Sequence, residues 1–241
     1  MKNRIPLLMI AILAAGCAVQ AQVSERKLTV SGDAVVKVQI LRGNVVVRGW
    51  NKAGVVVVRA RSEKGTSQPK VEQNGNEITI GASPSHPAFY CGAESDNVTY
   101  EVTLPAGSEV KTKIMTGNFT AERMSGRVDA RIVNGNIVLR LDDPVSVNAD
   151  CVSGTIDCVL AGRFAREMNL KNIAGTINLV LLRGGDAKVN AESMTGTITL
   201  RPDLKNAKRV SAYGISRVSG TLGSGTGSIS LFTVSGTVVV K

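Results

Sequence analysis

One five-residue motif recurs along the chain, and it restricts the available folds more than any other feature. Val152-Ser153-Gly154-Thr155-Ile156 returns as Ile173-Ala174-Gly175-Thr176-Ile177, Met194-Thr195-Gly196-Thr197-Ile198, Val218-Ser219-Gly220-Thr221-Leu222 and Val234-Ser235-Gly236-Thr237-Val238. Looser copies come first, at Met115-Thr116-Gly117-Asn118-Phe119, Met124-Ser125-Gly126-Arg127-Val128 and Val133-Asn134-Gly135-Asn136-Ile137. Each reads apolar, small, Gly, polar, apolar. Such a unit cannot bury its own apolar face and must stack on its neighbours. The corner glycines are therefore expected at Gly117, Gly126, Gly135, Gly154, Gly175, Gly196, Gly220 and Gly236.

Apart from Gly126, these glycines stand 16 to 24 residues apart. Second punctuators fall between them at Gly126, Asp143-Pro144, Gly162, Gly184-Gly185 and Asn206. Each unit of roughly twenty residues thus has two corners and two strand-bearing sides. Alternation sets the faces. Counted from each central Gly, positions +2 and +4 hold Ile137 and Leu139, Ile156 and Cys158, Ile177 and Leu179, Ile198 and Leu200. Positions −7 and −5 hold Val128 and Ala130, Val147 and Ala149, Met168 and Leu170, Val189 and Ala191. Period-two alternation points these sets inward.

The pattern predicts an all-β chain, a parallel β-helix-like solenoid in which each rung stacks on the one before. A β-sandwich is the alternative architecture. With 43% hydrophobic but 3% aromatic residues, the core must be aliphatic. Residues 28 to 104 read as strands joined by turns, among them Arg42-Gly43-Asn44, Asn51-Lys52-Ala53-Gly54 and Asn74-Gly75-Asn76. An irregular loop near 83–97 carries His86, Phe89, Tyr90 and Cys91.

Met1-Lys2-Asn3-Arg4 is a positive n-region, and the apolar stretch from Ile5 to Ala15 suits a secretory leader but is too short to span a bilayer. Two cleavage readings stand side by side. Leu13-Ala14-Ala15-Gly16-Cys17 resembles a lipobox, which makes 1–16 the leader and Cys17 the lipidation candidate. Val19-Gln20-Ala21 followed by Gln22 resembles an ordinary signal-peptidase site, which makes 1–21 the leader. Residues 22–241 are expected to form a single β-solenoid domain. Export to the periplasm, outer membrane or cell surface follows, with membrane attachment only through a lipid anchor.

The run from Tyr100-Glu101-Val102-Thr103-Leu104-Pro105 through Gly117-Asn118-Phe119, Gly126-Arg127-Val128, Gly135-Asn136-Ile137 and Ser153-Gly154-Thr155-Ile156 resembles the bacterial "putative adhesin" family of exported proteins. The likeness covers most of the chain, from about Val35 onward. It implies a parallel β-helix-like fold and brings no catalytic residues.

The formal net charge of +10 is scattered rather than tract-like, and few aromatics are present to stack bases, so nucleic acid is not an expected partner. A cationic envelope protein is matched instead to anionic lipid, lipopolysaccharide, glycan or a protein partner. One histidine and the lack of a C-x-x-C spacing argue against a metal site, and no cofactor motif is present. Gly220, Gly223, Gly225 and Gly227 mimic a phosphate loop, but no helix follows them. The competing enzyme reading is a polysaccharide hydrolase or lyase using Asp150 and Asp157, which alternation places outward. The +1 threonines Thr155, Thr176, Thr197, Thr221 and Thr237 are expected to form an outward polar ladder.

Overall fold

The structure, a computed structural model, describes residues 22–62, 70–81, 97–162, 164 and 166–241. Cys17, both cleavage sites, His86, Phe89, Tyr90 and Cys91 lie outside the described residues. What is described is all-β. The first half contains β1 (Gln22–Thr29), β2 (Val35–Trp50), β3 (Val55–Ser62), β4 (Val71–Asn74), β5 (Glu77–Gly81), β6 (Val98–Pro105) and β7 (Glu109–Glu122). The second contains β8 (Arg127–Asn134), β9 (Ile137–Leu141), β10 (Ser146–Leu160), β11 (Glu167–Leu181), β12 (Ala187–Leu200), β13 (Lys205–Ala212), β14 (Ile215–Leu222) and β15 (Gly227–Val240).

Parallel pairing runs through the middle of the sheet in the order β2, β7, β8 with β9, β10, β11, β15, β12. Register holds the motif in step. Gly43 pairs with Gly117, Gly154 with Gly175, Gly175 with Gly236 and Gly236 with Gly196. Gly135 lies between Gly117 and Gly154, its Cα against the Gly117 carbonyl and its own carbonyl against Gly154. These glycines have φ between +130° and +157°. A Cβ on any of Gly117, Gly135, Gly154, Gly175, Gly196 or Gly236 would overlap the carbonyl oxygen of a neighbouring ladder glycine. Glycine is required there twice over, by the backbone angle and by the close approach of the next strand.

The arms on either side of each glycine enclose one aliphatic core. Val128, Ala130, Ile137, Leu139, Ala149, Ile156, Cys158, Met168, Leu170, Ile177 and Leu179 all belong to it. The inward set also includes position −3, with Ile114, Ile132, Cys151, Asn172, Ser193 and Thr233 buried. Leu200, expected inward, is only half-buried, because among the described residues β12 has β15 on one side of this arm and no strand on the other.

Several expectations are corrected. Rungs do not all follow chain order: β15 lies between β11 and β12. Gly220 is not a corner, nor does Thr221 join the ladder, since β14 runs antiparallel to β12 with Gly220 opposite Val189 and Thr221 opposite Lys188. The cause is local. Tyr213 and Gly214 both take positive φ, at +51° and +83°, as a tight hairpin turn requires, so β14 reverses β13. Gly223 and Gly225 turn the chain again, at +57° and +75°, and β15 returns parallel. Gly126 keeps negative φ and serves a turn in which a side chain would strike the carbonyls of Gly107 and Ser108.

The amino-terminal part is antiparallel at its edge. β1 pairs with β3, and β3 with β6. Asn74-Gly75-Asn76 closes the β4–β5 hairpin, with Gly75 at +58°. Arg42-Gly43-Asn44, expected as a turn between strands, instead lies inside the continuous bent strand β2. Gly43 is the first glycine of the ladder.

Candidate functional site: two columns beside the glycine ladder

Before each corner the inward positions are odd, at −7, −5 and −3; after it they are even, at +2 and +4. The phase changes at the glycine. Position −2 therefore faces outward although its residues are apolar. Met115, Val133, Val152, Ile173 and Met194 occupy it and are between 36% and 49% exposed, forming a column across the strands with Val234. Outward position −4 runs beside it as Gln39, Lys113, Arg131, Asp150, Lys171 and Phe232. Between the two columns lies a groove of about 590 Å³, with the −3 residues Ile40, Ile114, Ile132, Cys151 and Asn172 as its floor. A volume of this size falls within the usual range of ligand pockets, about 300–1,000 Å³.

The floor is tied to the ladder. The Asn172 Nδ2 donates to the Gly154 carbonyl at 2.8 Å, the Cys151 thiol to Gly135 at 3.4 Å and the Ser193 hydroxyl to Gly236 at 3.5 Å. The Asn172 Oδ1 has no partner among the described residues. Burial pushes the Cys151 thiol up from its ordinary value, an effect opposed in part by a backbone hydrogen bond at Ser153. On the groove wall, the Arg131 Nε lies 3.5 Å from Asp129 and 3.7 Å from Asp150. Lys113 and Lys171 make no ion pair among the described residues.

On the other side of the glycines is the +1 column. It begins with asparagines and continues as threonines: Asn44, Asn118, Asn136, Thr155, Thr176, Thr237, Thr197. The Asn44 Oδ1 accepts from the Asn118 backbone N–H at 3.2 Å and from its Nδ2 at 3.0 Å. The Asn118 Oδ1 accepts likewise from Asn136, and the Asn136 Oδ1 from the Thr155 backbone N–H at 3.1 Å. Thr197 and Thr237 place their hydroxyls 3.4 Å apart.

The candidate acids are separated by the corner. Asp150 stands at −4 beside Arg131, whereas Asp157 stands at +3 and accepts from the Asn178 Nδ2 at 2.6 Å. Among the described residues, no group of three or more His, Cys, Asp and Glu side chains could hold a metal ion. No described helix is long and apolar enough to cross a membrane. The groove was the feature that motif reading missed. Its signal was present, because the inward set at −7 and −5 leaves the apolar −2 residue on the outside.

No protein-family model matches the chain, and no curated protein matches it. Solved structures do resemble it. A structure described as a "putative cell adhesion protein" from Clostridium sporogenes aligns with a TM-score of 0.53 and 14% identity, over 92% of this chain and 99% of that one. A "putative adhesin" from Bacteroides fragilis aligns at 0.39 with 10% identity, over 92% and 99%. A "putative lipid binding protein" from Parabacteroides distasonis aligns at 0.41 with 11% identity, over 91% and 97%. The first likeness is one of fold; the other two scores are too low to bear on it.

Proposed function

We propose that the protein is a non-enzymatic, adhesin-like component of the cell envelope. Its stacked strands act as a β-helix-like solenoid that holds a regular polar, basic surface toward another envelope component. The observation that carries this reading is the +1 ladder, in which Asn and Thr repeat in register from β2 to β12. Strands about 4.8 Å apart give that surface a fixed period, which suits a partner that is itself extended or repetitive. Without Lys2 and Arg4 of the leader the formal net charge falls from +10 to +8, which still favours an anionic one, such as lipid, lipopolysaccharide or acidic glycan. The fold likeness to the Clostridium sporogenes protein supports the same class. Export through the amino-terminal leader, with or without acylation at Cys17, delivers the chain to that setting.

Binding of the purified protein to arrays of acidic glycans, lipopolysaccharide and anionic vesicles tests the proposal. Thr155→Val, Thr176→Val and Thr237→Val together should abolish retention on the partner. Retention equal to that of the unaltered protein would remove the ladder from the interaction. Cleavage of a glycan that is lost on Asp150→Ala or Asp157→Ala would replace this reading with the hydrolase or lyase one.

A further inference from the structure

We propose that the groove is a binding site for one long-chain fatty acid anion, its carboxylate at the Lys113 end and its tail along the −2 column toward Phe232. The site goes beyond the polar-surface reading and uses different residues, across the glycine ladder from the threonines.

Length, lining and charge point the same way. From β7 to β15 the groove crosses four strand spacings, about 19 Å at about 4.8 Å each. The acyl chains of one bilayer leaflet span about 15 Å, half of the hydrocarbon thickness. An extended acyl chain therefore fits between Lys113 and Phe232. Along that path it meets Val133, Val152 and Ile173 on the wall and Ile132, Cys151 and Asn172 on the floor. The wall residues are aliphatic and stand exposed in the protein alone.

A peptide is a poorer match for the same surface. The groove runs across the strands within the sheet, so among the described residues no free sheet edge faces it. A peptide lying there could reach polar side chains only on the −4 wall and the Asn172 floor; toward the −2 column its N–H and C=O groups would meet aliphatic side chains, which is costly. An acyl chain brings none.

The charges are graded along the groove. Lys113, Arg131 and Lys171 stand against the single carboxylate of Asp150. Arg131 is shared between Asp129 and Asp150, while Lys113 and Lys171 are both unpaired among the described residues. Gln39 lies in register beside Lys113 and offers a neutral donor. Lys171 has Asp150 as its register neighbour on one side and Phe232 on the other, whereas Lys113 stands between Gln39 and Arg131 with no carboxylate beside it in the column. The positive charge of the wall is therefore least offset at the Lys113 end, which suits an amphiphile with its anionic head there.

The experiment titrates the purified full chain with oleate below its micellar concentration. Displacement of a fluorescent fatty acid gives the affinity and native mass spectrometry the stoichiometry. One oleate per chain is expected. Ile173→Glu and Val152→Glu should each weaken binding at least about tenfold, since a charge would have to be desolvated against the tail. Lys113→Gln should weaken oleate several-fold and leave the neutral oleyl alcohol unchanged. Thermal melts identify any variant that fails to fold, and Val152→Thr, a near-isosteric change at an exposed site, then replaces it with an expected loss of about threefold. Non-saturable binding, or unchanged affinity in the folded wall variants, overturns the proposal. So does a wild-type dimer that Ile173→Glu dissociates while no oleate binds, which would make the groove an interface between two copies. Thr155→Val and Thr176→Val should leave oleate binding intact, so failure of the polar-surface reading is separable from failure of this one.

Discussion

Gly236 lies in register on Gly175, its Cα against that residue's carbonyl oxygen, and not beside Gly220, the preceding copy of the motif. The last strand of the chain therefore fills the space between β11 and β12, two strands made before it. Among the described residues β12 reaches the parallel stack only through β15. Folding of the carboxy-terminal end cannot finish until the whole chain is available.

A chain ending at Thr226 tests this order. It removes β15, which leaves β11 paired with β10 alone and β12 without a parallel neighbour. Hydrogen exchange should then be fast across β12 and the facing edge of β11, while β7 and β8 remain protected. Native-like protection of β12 in the shortened chain would show that it docks onto β11 directly.

The ladder glycines should be the costliest positions to change. At Gly175, φ is +138° and a Cβ would overlap the Gly154 carbonyl oxygen. Gly175→Ala is expected to destabilise by about 3 kcal/mol or more, from backbone strain and forced separation of two strands. Thr176→Ala, on the outer column, should cost less than about 1 kcal/mol. Denaturant melts that place the two variants together would contradict the close approach.

Much of the stack was legible because alternation and glycine spacing are local signals. The inward pairs at −7, −5, +2 and +4 follow from period two alone, with Leu200 half-buried at the end of its arm, and so did the outward direction of Asp150 and Asp157. The strand order was not legible. Val218-Ser219-Gly220-Thr221-Leu222 has the right residues, but the Tyr213-Gly214 turn reverses its direction, and a five-residue motif carries no information about which way its strand runs. The irregular intervals around Gly220, 24 residues before it and 16 after, were the visible trace of that departure. Gly43 escaped notice for the opposite reason. Arg42-Gly43-Asn44 looks like a turn, and only the register of β2 on β7 reveals it as a bend inside one strand. The groove depended on a change of phase across each glycine, which shows only when both arms are counted together.

Asn172 links the groove floor to the ladder, and its removal should be felt in stability. Its side chain is buried, and Nδ2 donates to the Gly154 carbonyl. Asn172→Ala should cost about 1–3 kcal/mol by loss of that bond and of buried contact. Asn172→Ser should cost less, because Ser193 on β12 makes the corresponding contact to Gly236 on β15. A serine variant less stable than the alanine one would show that packing, rather than the hydrogen bond, governs the site.

Cys158 should give the protein a stability loss at alkaline pH. It occupies the +4 position held by Leu139 and Leu179 in adjacent strands, and it is fully buried. Burial pushes its thiol up to about 12 from an ordinary value of 9.0. The sign follows from which state holds the proton. Between about pH 9 and 12 the unfolded chain releases the thiol proton and the folded chain keeps it, so stability falls as pH rises through that window. Below the unfolded value both states are protonated and the group contributes no slope. Cys158→Val, which keeps an aliphatic side chain at the site, should flatten the decline relative to the unaltered protein, and the other alkaline groups cancel in the comparison. Cys151 and Cys158 are both free thiols, so no disulfide between them complicates the titration. In the native state at neutral pH, Cys158 should resist alkylation and become reactive on unfolding without reductant. Identical alkaline profiles for the two proteins, together with rapid native labelling of Cys158, would overturn its inward placement and with it the register of β10 on β11.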